Sequence, residues 1–251
     1  MNVIVKPFHL PLLNRDAKLY VMLPEHLDID TAYPLIFFHD GQNVFFDRDA
    51  SFGVSWGIKE IYEQNAMPKV VIVGLSCANG LNRLDEYNPF IASKAVSFGE
   101  TPRLTGGKGD AYLHDIIDTV LPYLKEHYPV DLNNITIAGS SMGGHISLYA
   151  TLTYPKVFKN ALCLSNAFWI SEEAMVNYIK NLRKKHKCFI YMDTGDNESD
   201  DFDYLKANNR VYEALNQKQI EATYRIIPGG IHHESDWNKR IKDIILMIKQ
   251  K

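Results

Sequence analysis

Residues Gly139-Ser140-Ser141-Met142-Gly143 fit the pattern Gly-x-Ser-x-Gly, in which a serine is pushed out of a tight turn between a strand and a helix. Only one register sets a glycine two positions to either side of a serine, so Ser141 is the candidate nucleophile and Ser140 its neighbour. A serine hydroxyl is a poor nucleophile at neutral pH and needs a base, itself oriented by a carboxylate. Around such a turn the chain order is serine, acid, histidine, with the last two on loops after later strands. Of nine histidines, only His232 and His233 follow the last expected strand, in the turn Pro228-Gly229-Gly230-Ile231, so one of this pair is the base. The acid should lie just after the preceding strand, where Asp193, Asp196 and Glu198 compete. Acyl chemistry also needs two backbone donors for the oxyanion. Met142, the residue after the serine, supplies one; within Phe38-His39-Asp40-Gly41-Gln42-Asn43, the Gln42 amide is best placed for the other.

These residues need a scaffold, and the apolar pattern describes one. Short apolar runs at 35–39, 70–75, 135–138, 161–164, 188–192 and 223–227 read as buried strands. Helical spacing fills the intervals at 57–63, 111–127, 142–153, 172–185, 204–218 and 236–249. Alternation of this kind gives an α/β fold, a mostly parallel sheet with helices on both faces. Residues 3–8 and 18–23, parted by Asn14-Arg15-Asp16, add an antiparallel pair at one edge. Pro122, inside the longest helical stretch, predicts a kink or late start. Residues 76–109 show little periodicity and are too long for a plain connector, so they should shape the way into the site. No linker divides the chain, and residues 1–251 are expected to form one domain.

Composition narrows the partners. With 27 Lys and Arg against 30 Asp and Glu, and only 183–187 as a basic run, nucleic acid is not implied. No apolar stretch reaches the roughly 18 residues that span a bilayer, and no secretory leader is evident, so a cytoplasmic protein is expected. Cys77, Cys163 and Cys188 have no metal spacing and read as thiols. A calcium loop from Asp196 fails, because the sixth position is Asp201 and the twelfth Ala207. His39 and Asp40 shape their turn rather than hold a metal, and His145 reads as a packing or hydrogen-bonding residue at a helix start. No dinucleotide or phosphate loop is present, so no cofactor and no metal are called for. Aromatics such as Trp56, Phe168 and Trp169 are candidates for either pocket or core.

With these residues placed, the chain resembles the Putative esterase family of α/β-hydrolases, which includes feruloyl, acetylxylan and siderophore esterases and the mycolyltransferases. Four blocks carry the resemblance: Phe38 to Phe45, Arg83 to Pro89, Gly139 to Gly144, and Gly229 to Trp237. In the family the base histidine precedes a tryptophan by five residues, so Trp237 selects His232. The acid lies three residues after the glycine ending its strand, which selects Glu198 and leaves Asp196 in reserve. The resemblance implies a small-molecule ester substrate and a serine carboxylesterase for small, carbohydrate-type or siderophore-type esters. Acyl transfer to an alcohol by the same residues is the alternative, and an inactive binding module is a third reading. Residues 93–107 match no one subfamily and are expected to decide the substrate. Arg83 and Glu86 are expected to brace the second block through a buried ion pair. Oligomeric state cannot be read from the sequence.

Overall fold

The strands are β1 (Val3–Leu10), β2 (Arg15–Met22), β3 (Tyr33–Phe38), β4 (Val71–Leu75), β5 (Val130–Ser140), β6 (Phe158–Leu164), β7 (Phe189–Gly195) and β8 (Thr223–Ile227). In the computed structural model, which describes every residue except 29, 66, 98, 184–186 and 249–251, they form one sheet in the order β1-β2-β4-β3-β5-β6-β7-β8. β1 and β2 pair antiparallel, as does β2 with β4, while all pairings from β4 to β8 are parallel. The helices are α1 (Ile58–Gln64), α2 (Leu81–Glu86), α3 (Gly109–Asp115), α4 (Leu121–His127), α5 (Met142–Thr153), α6 (Glu172–Asn181), α7 (Tyr204–Gln217) and α8 (Glu234–Leu246). This is the α/β-hydrolase fold, with the antiparallel edge where the sequence put it.

Strand alternation divides the core into two layers. Leu35 and Phe37 of β3 pack into one cluster with residues of α3 to α7, whereas Ile36 and Phe38 face the other, with Ile58 of α1 and Trp237 and Ile241 of α8. Both faces of the sheet are therefore covered, and β4 is buried at every position.

The differences from expectation have local causes. Pro122 does not break its stretch: a π-helical turn, Ile116–Val120, precedes α4 and joins it to α3. Proline has no N–H and its ring crowds the carbonyl four residues back, and a wider turn relieves both. β7 runs three residues past its expected end, so Asp193 lies inside the strand rather than in the loop. Between residues 76 and 109 the chain contains α2 and two isolated bridges, Ile91 with Gly106 and Val96 with Arg103. The centre of the basic run, the expected end of the 172–185 helix and Lys249 lie outside the described residues.

Candidate active site

β5 ends in a turn whose backbones touch. A Cβ added to Gly139 would come within 2.7 Å of the Gly143 backbone, so Gly139 is required by contact, and one added to Gly143 would crowd His39 Cβ at 3.3 Å. Between them Ser141 adopts φ 58° and ψ −121°, left-handed territory that L-residues avoid. Its amide donates to Leu164 O at 2.9 Å, and its carbonyl accepts from His145 and Ala167 amides, each at 3.1 Å. The strain is thus held from three sides, and the side chain projects into a cavity of about 1100 Å³. Ser140 remains in the strand.

The other end of the site is drawn together by a second glycine contact. A Cβ on Gly195, the last residue of β7, would meet Gly230 O at 2.1 Å, so the loop after β7 and the loop after β8 press backbone to backbone. That approach brings His232 Nδ1 within 2.6 Å of Glu198 Oε2. An ionised carboxylate can only accept, so the neutral ring carries its proton on Nδ1 and keeps Nε2 as an acceptor. The other Glu198 oxygen accepts from the Gly195 amide at 2.6 Å. Burial works to raise the Glu198 pKa, but the hydrogen bonds and charge of His232, with further help from Ser165 and Gly195, hold it below the ordinary glutamate value.

The structure separates the three candidate acids. Asp193 is fully buried and pairs with Arg240 at 2.9 Å. Asp196 is exposed and accepts from the Gly229 amide at 2.6 Å, tying the same two loops together without touching the histidine. Only Glu198 meets His232. The histidine pair is separated as well: His233 caps α8, its Nδ1 accepting from the Ser235 amide at 3.1 Å. His39 and His145 are not alternative bases, for burial pushes each imidazole down to about 3 and neither lines the cavity. His145 is fully buried and neither ring nitrogen has a side-chain hydrogen-bond partner, so it serves packing beneath the turn.

His232 is gripped by rings. Tyr204 lies 4.7 Å away between centroids, and Trp237 stands perpendicular to the imidazole at 5.2 Å. Burial pushes the Tyr204 phenol up to about 12. Ser141 and His232 line the same cavity, and no hydrogen bond joins them directly. Gln42 and Met142 also line it, on the side of the serine turn. Neither backbone N–H donates to another described residue, so both are available to a ligand oxygen.

Beneath Gln42, two of the sequence blocks meet. Asp40, at φ 53°, takes both Arg83 hydrogen bonds at 2.7 Å, and its amide donates to Tyr87 O–H at 3.1 Å. Arg83 and Glu86 do brace this region, but not with each other: Glu86 pairs with Arg15 of β2 at 2.7 Å. They sit three residues apart on α2 and each reaches a different neighbour.

Sequence reasoning missed Ser165. Its Oγ accepts from Trp237 Nε1 at 2.8 Å and from Arg240 Nη2 at 3.1 Å, and its hydroxyl helps to lower the Glu198 pKa. One hydroxyl thus holds Trp237, whose ring lies against His232. Its signal is faint, since a serine ending a strand has no distinguishing motif. Trp169, a candidate for pocket or core, lines the cavity stacked on Phe202, which sequence reasoning missed, 3.8 Å apart and 8° from parallel. Trp56 and Phe168, by contrast, are core residues. The lining from the irregular region comes from Ser76 to Leu84; among the described residues none of 93–107 reaches the cavity, contrary to expectation. Among the described residues, no group of three or more His, Cys, Asp or Glu side chains could hold a metal, and no helix is long and apolar enough to cross a membrane.

Residues 11–248 match the model of the family described as Putative esterase. The chain belongs to that family. This esterase is 27% identical over 238 residues to Uncharacterized protein YbbA of Bacillus subtilis strain 168, covering 90% of this chain and 89% of that one. Among solved structures it is similar to the BES protein from Bacillus cereus, with a TM-score of 0.76 at 18% identity, covering 100% of this chain and 97% of the other. It is similar too to the enterobactin esterase FES from Shigella flexneri, with a TM-score of 0.76 at 17% identity. That likeness covers 98% of this esterase but 58% of FES. At such identities the structural likeness establishes the fold, and the family match establishes the membership.

Proposed function

We propose that this family member is a serine carboxylesterase in which Ser141, His232 and Glu198 form the catalytic triad. Ser141 Oγ bonds to the ester carbonyl carbon as its proton passes to His232 Nε2. The carbonyl oxygen, now negative, receives the Gln42 and Met142 amides. On collapse the alcohol leaves with the proton from His232, giving an acyl-enzyme. Water then attacks, its proton returning through His232, and the carboxylic acid departs with Ser141 restored. Glu198 keeps the imidazole in the required tautomer and stabilises it while it is charged.

The observation that carries this reading is the 2.6 Å contact of Glu198 with His232 on the wall of the cavity that also holds the strained Ser141. Small-molecule esters, including carbohydrate-type and siderophore-type esters, are the proposed substrate class, and the cavity has room for them. Its three free cysteines suit a reducing compartment such as the cytoplasm.

A fluorophosphonate probe tests the reading. It should add one label per chain, and mass measurement of the peptide should find it on Ser141. Absence of labelling in folded protein, or labelling at another serine, overturns the assignment.

A further inference from the structure

Among the described residues, every deeply buried carboxylate but one has a cation, an imidazole or two backbone donors. Asp40 has Arg83, Asp85 has Arg103, Glu86 has Arg15, Asp193 has Arg240, Glu198 has His232, and Asp115 accepts from the Leu12 and Leu13 amides. Glu234 is the exception. It is 3% exposed, yet its only hydrogen bond to another described residue is from Asn43 Nδ2 to Oε1, at 3.1 Å. Oε2 has no partner there, and the side chain lines the cavity in front of Ser141. Burial raises the Glu234 pKa, while Oε2 stays open to the cavity, where a ligand hydroxyl can meet it. Its place in the first turn of α8 favours the charged form through the helix dipole, but a dipole fills no lone pair on the cavity side.

Position says which half of a substrate would meet it. Glu234 follows His232 by two residues on the same wall, and Asn43 ties it to the turn carrying Gln42. On the proposed reaction, His232 returns its proton to the leaving oxygen, so the alcohol half of the ester lies against this wall. Resting on that esterase reading, we propose that Glu234 accepts a hydrogen bond from a hydroxyl on the alcohol half of the substrate, and so selects esters of polyols over esters of plain alcohols.

The test holds the acyl group constant. For the wild-type protein, kcat/KM on glyceryl 1-monobutyrate should exceed that on ethyl butyrate by about tenfold or more, as expected of a hydrogen bond to a charged acceptor. Glu234→Gln should lower the ratio severalfold, and Glu234→Leu should bring it near one, with the change carried by KM of the glyceryl ester. Gln is isosteric, so it decides the matter if the Leu variant fails to fold. A wild-type ratio near one, or one that both variants leave unchanged, overturns the inference. So does a preference for butyrylcholine over the glyceryl ester, since that would mean charge pairing instead of hydroxyl recognition. Fluorophosphonate labelling of Ser141 alongside a flat ratio would sink this inference alone; failure to label or to hydrolyse any of the three esters would sink the esterase reading itself.

Discussion

Two buried Arg–Asp pairs stand under opposite walls of the site, and they differ in what they do. Arg83 with Asp40 supports the turn that presents the Gln42 amide; Arg240 with Asp193 supports α8 and the ring of Trp237. Burial acts to raise both aspartate pKa values. At Asp40 the fork of Arg83 outweighs it and the carboxyl is held below its usual value. At Asp193 burial prevails over Arg240, the Ser165 amide and the Tyr191 hydroxyl, and the carboxyl ends above it. The first pair contributes to stability as an ion pair. In the second, burial lifts the Asp193 pKa while the carboxylates of Asp193 and Asp236 hold the Arg240 pKa up against burial, and its use is geometric: it fixes Ser165, which bonds to the Trp237 ring.

Breaking the chemistry between the two walls gives the largest effect. Ser141→Ala should lower kcat by about 10⁶ on any hydrolysed ester, with the fold retained by circular dichroism. The wall of Asp193 is then probed at the two carboxylates that follow β7, Asp196 and Glu198. Glu198→Gln should reduce kcat by about 10³ to 10⁴, whereas Asp196→Asn should cost less than tenfold. The reverse ranking would show that the loop rearranges to use the other carboxylate.

On the opposite wall, Arg83→Met leaves Asp40 without its partner beneath Gln42. Denaturant unfolding should register a loss of about 3 to 5 kcal/mol. Loss of one oxyanion donor would add a fall of about 10² to 10³ in kcat in the protein that remains folded. Full activity in the folded variant would mean that the turn holds its shape without the ion pair.

The smallest effect is also the sharpest test of the contrast. A depressed Asp40 pKa gives stability that is present above the unfolded value of about 3.9 and is lost as pH falls through the folded value. Asp40→Asn should therefore flatten the acid side of the stability curve below about pH 4. A raised Asp193 pKa acts in the other direction, its contribution declining as pH rises from about 3.9 toward the folded value. Asp193→Asn should make stability climb more steeply above that pH. Neither change can exceed about 1.4 kcal/mol per pH unit. Equal shifts of slope in the two variants would erase the distinction.

Much of this was legible in the chain. The strand and helix alternation gave the sheet and both covered faces, because burial on two sides leaves short continuous apolar runs. The elbow around Ser141 was legible because a turn that tight admits only small neighbours, and the order of serine, acid and histidine follows from the fold. The spacing from His232 to Trp237 has its cause in a tryptophan that stands perpendicular to the imidazole and bonds to Ser165. The residues alone left three carboxylates within six residues open and the family spacing pointed to Glu198; what only the tertiary structure decided was how that side chain reaches His232. That depends on how far β7 continues and on Gly195 touching Gly230, contacts between segments some 35 residues apart. The Asn43 to Glu234 bond, across 191 residues, and the exchange of expected partners by Arg83 and Glu86 are of the same kind. Local pattern sets which face of an element is apolar, but a polar side chain's partner is whatever the packed elements bring within 3 Å of it.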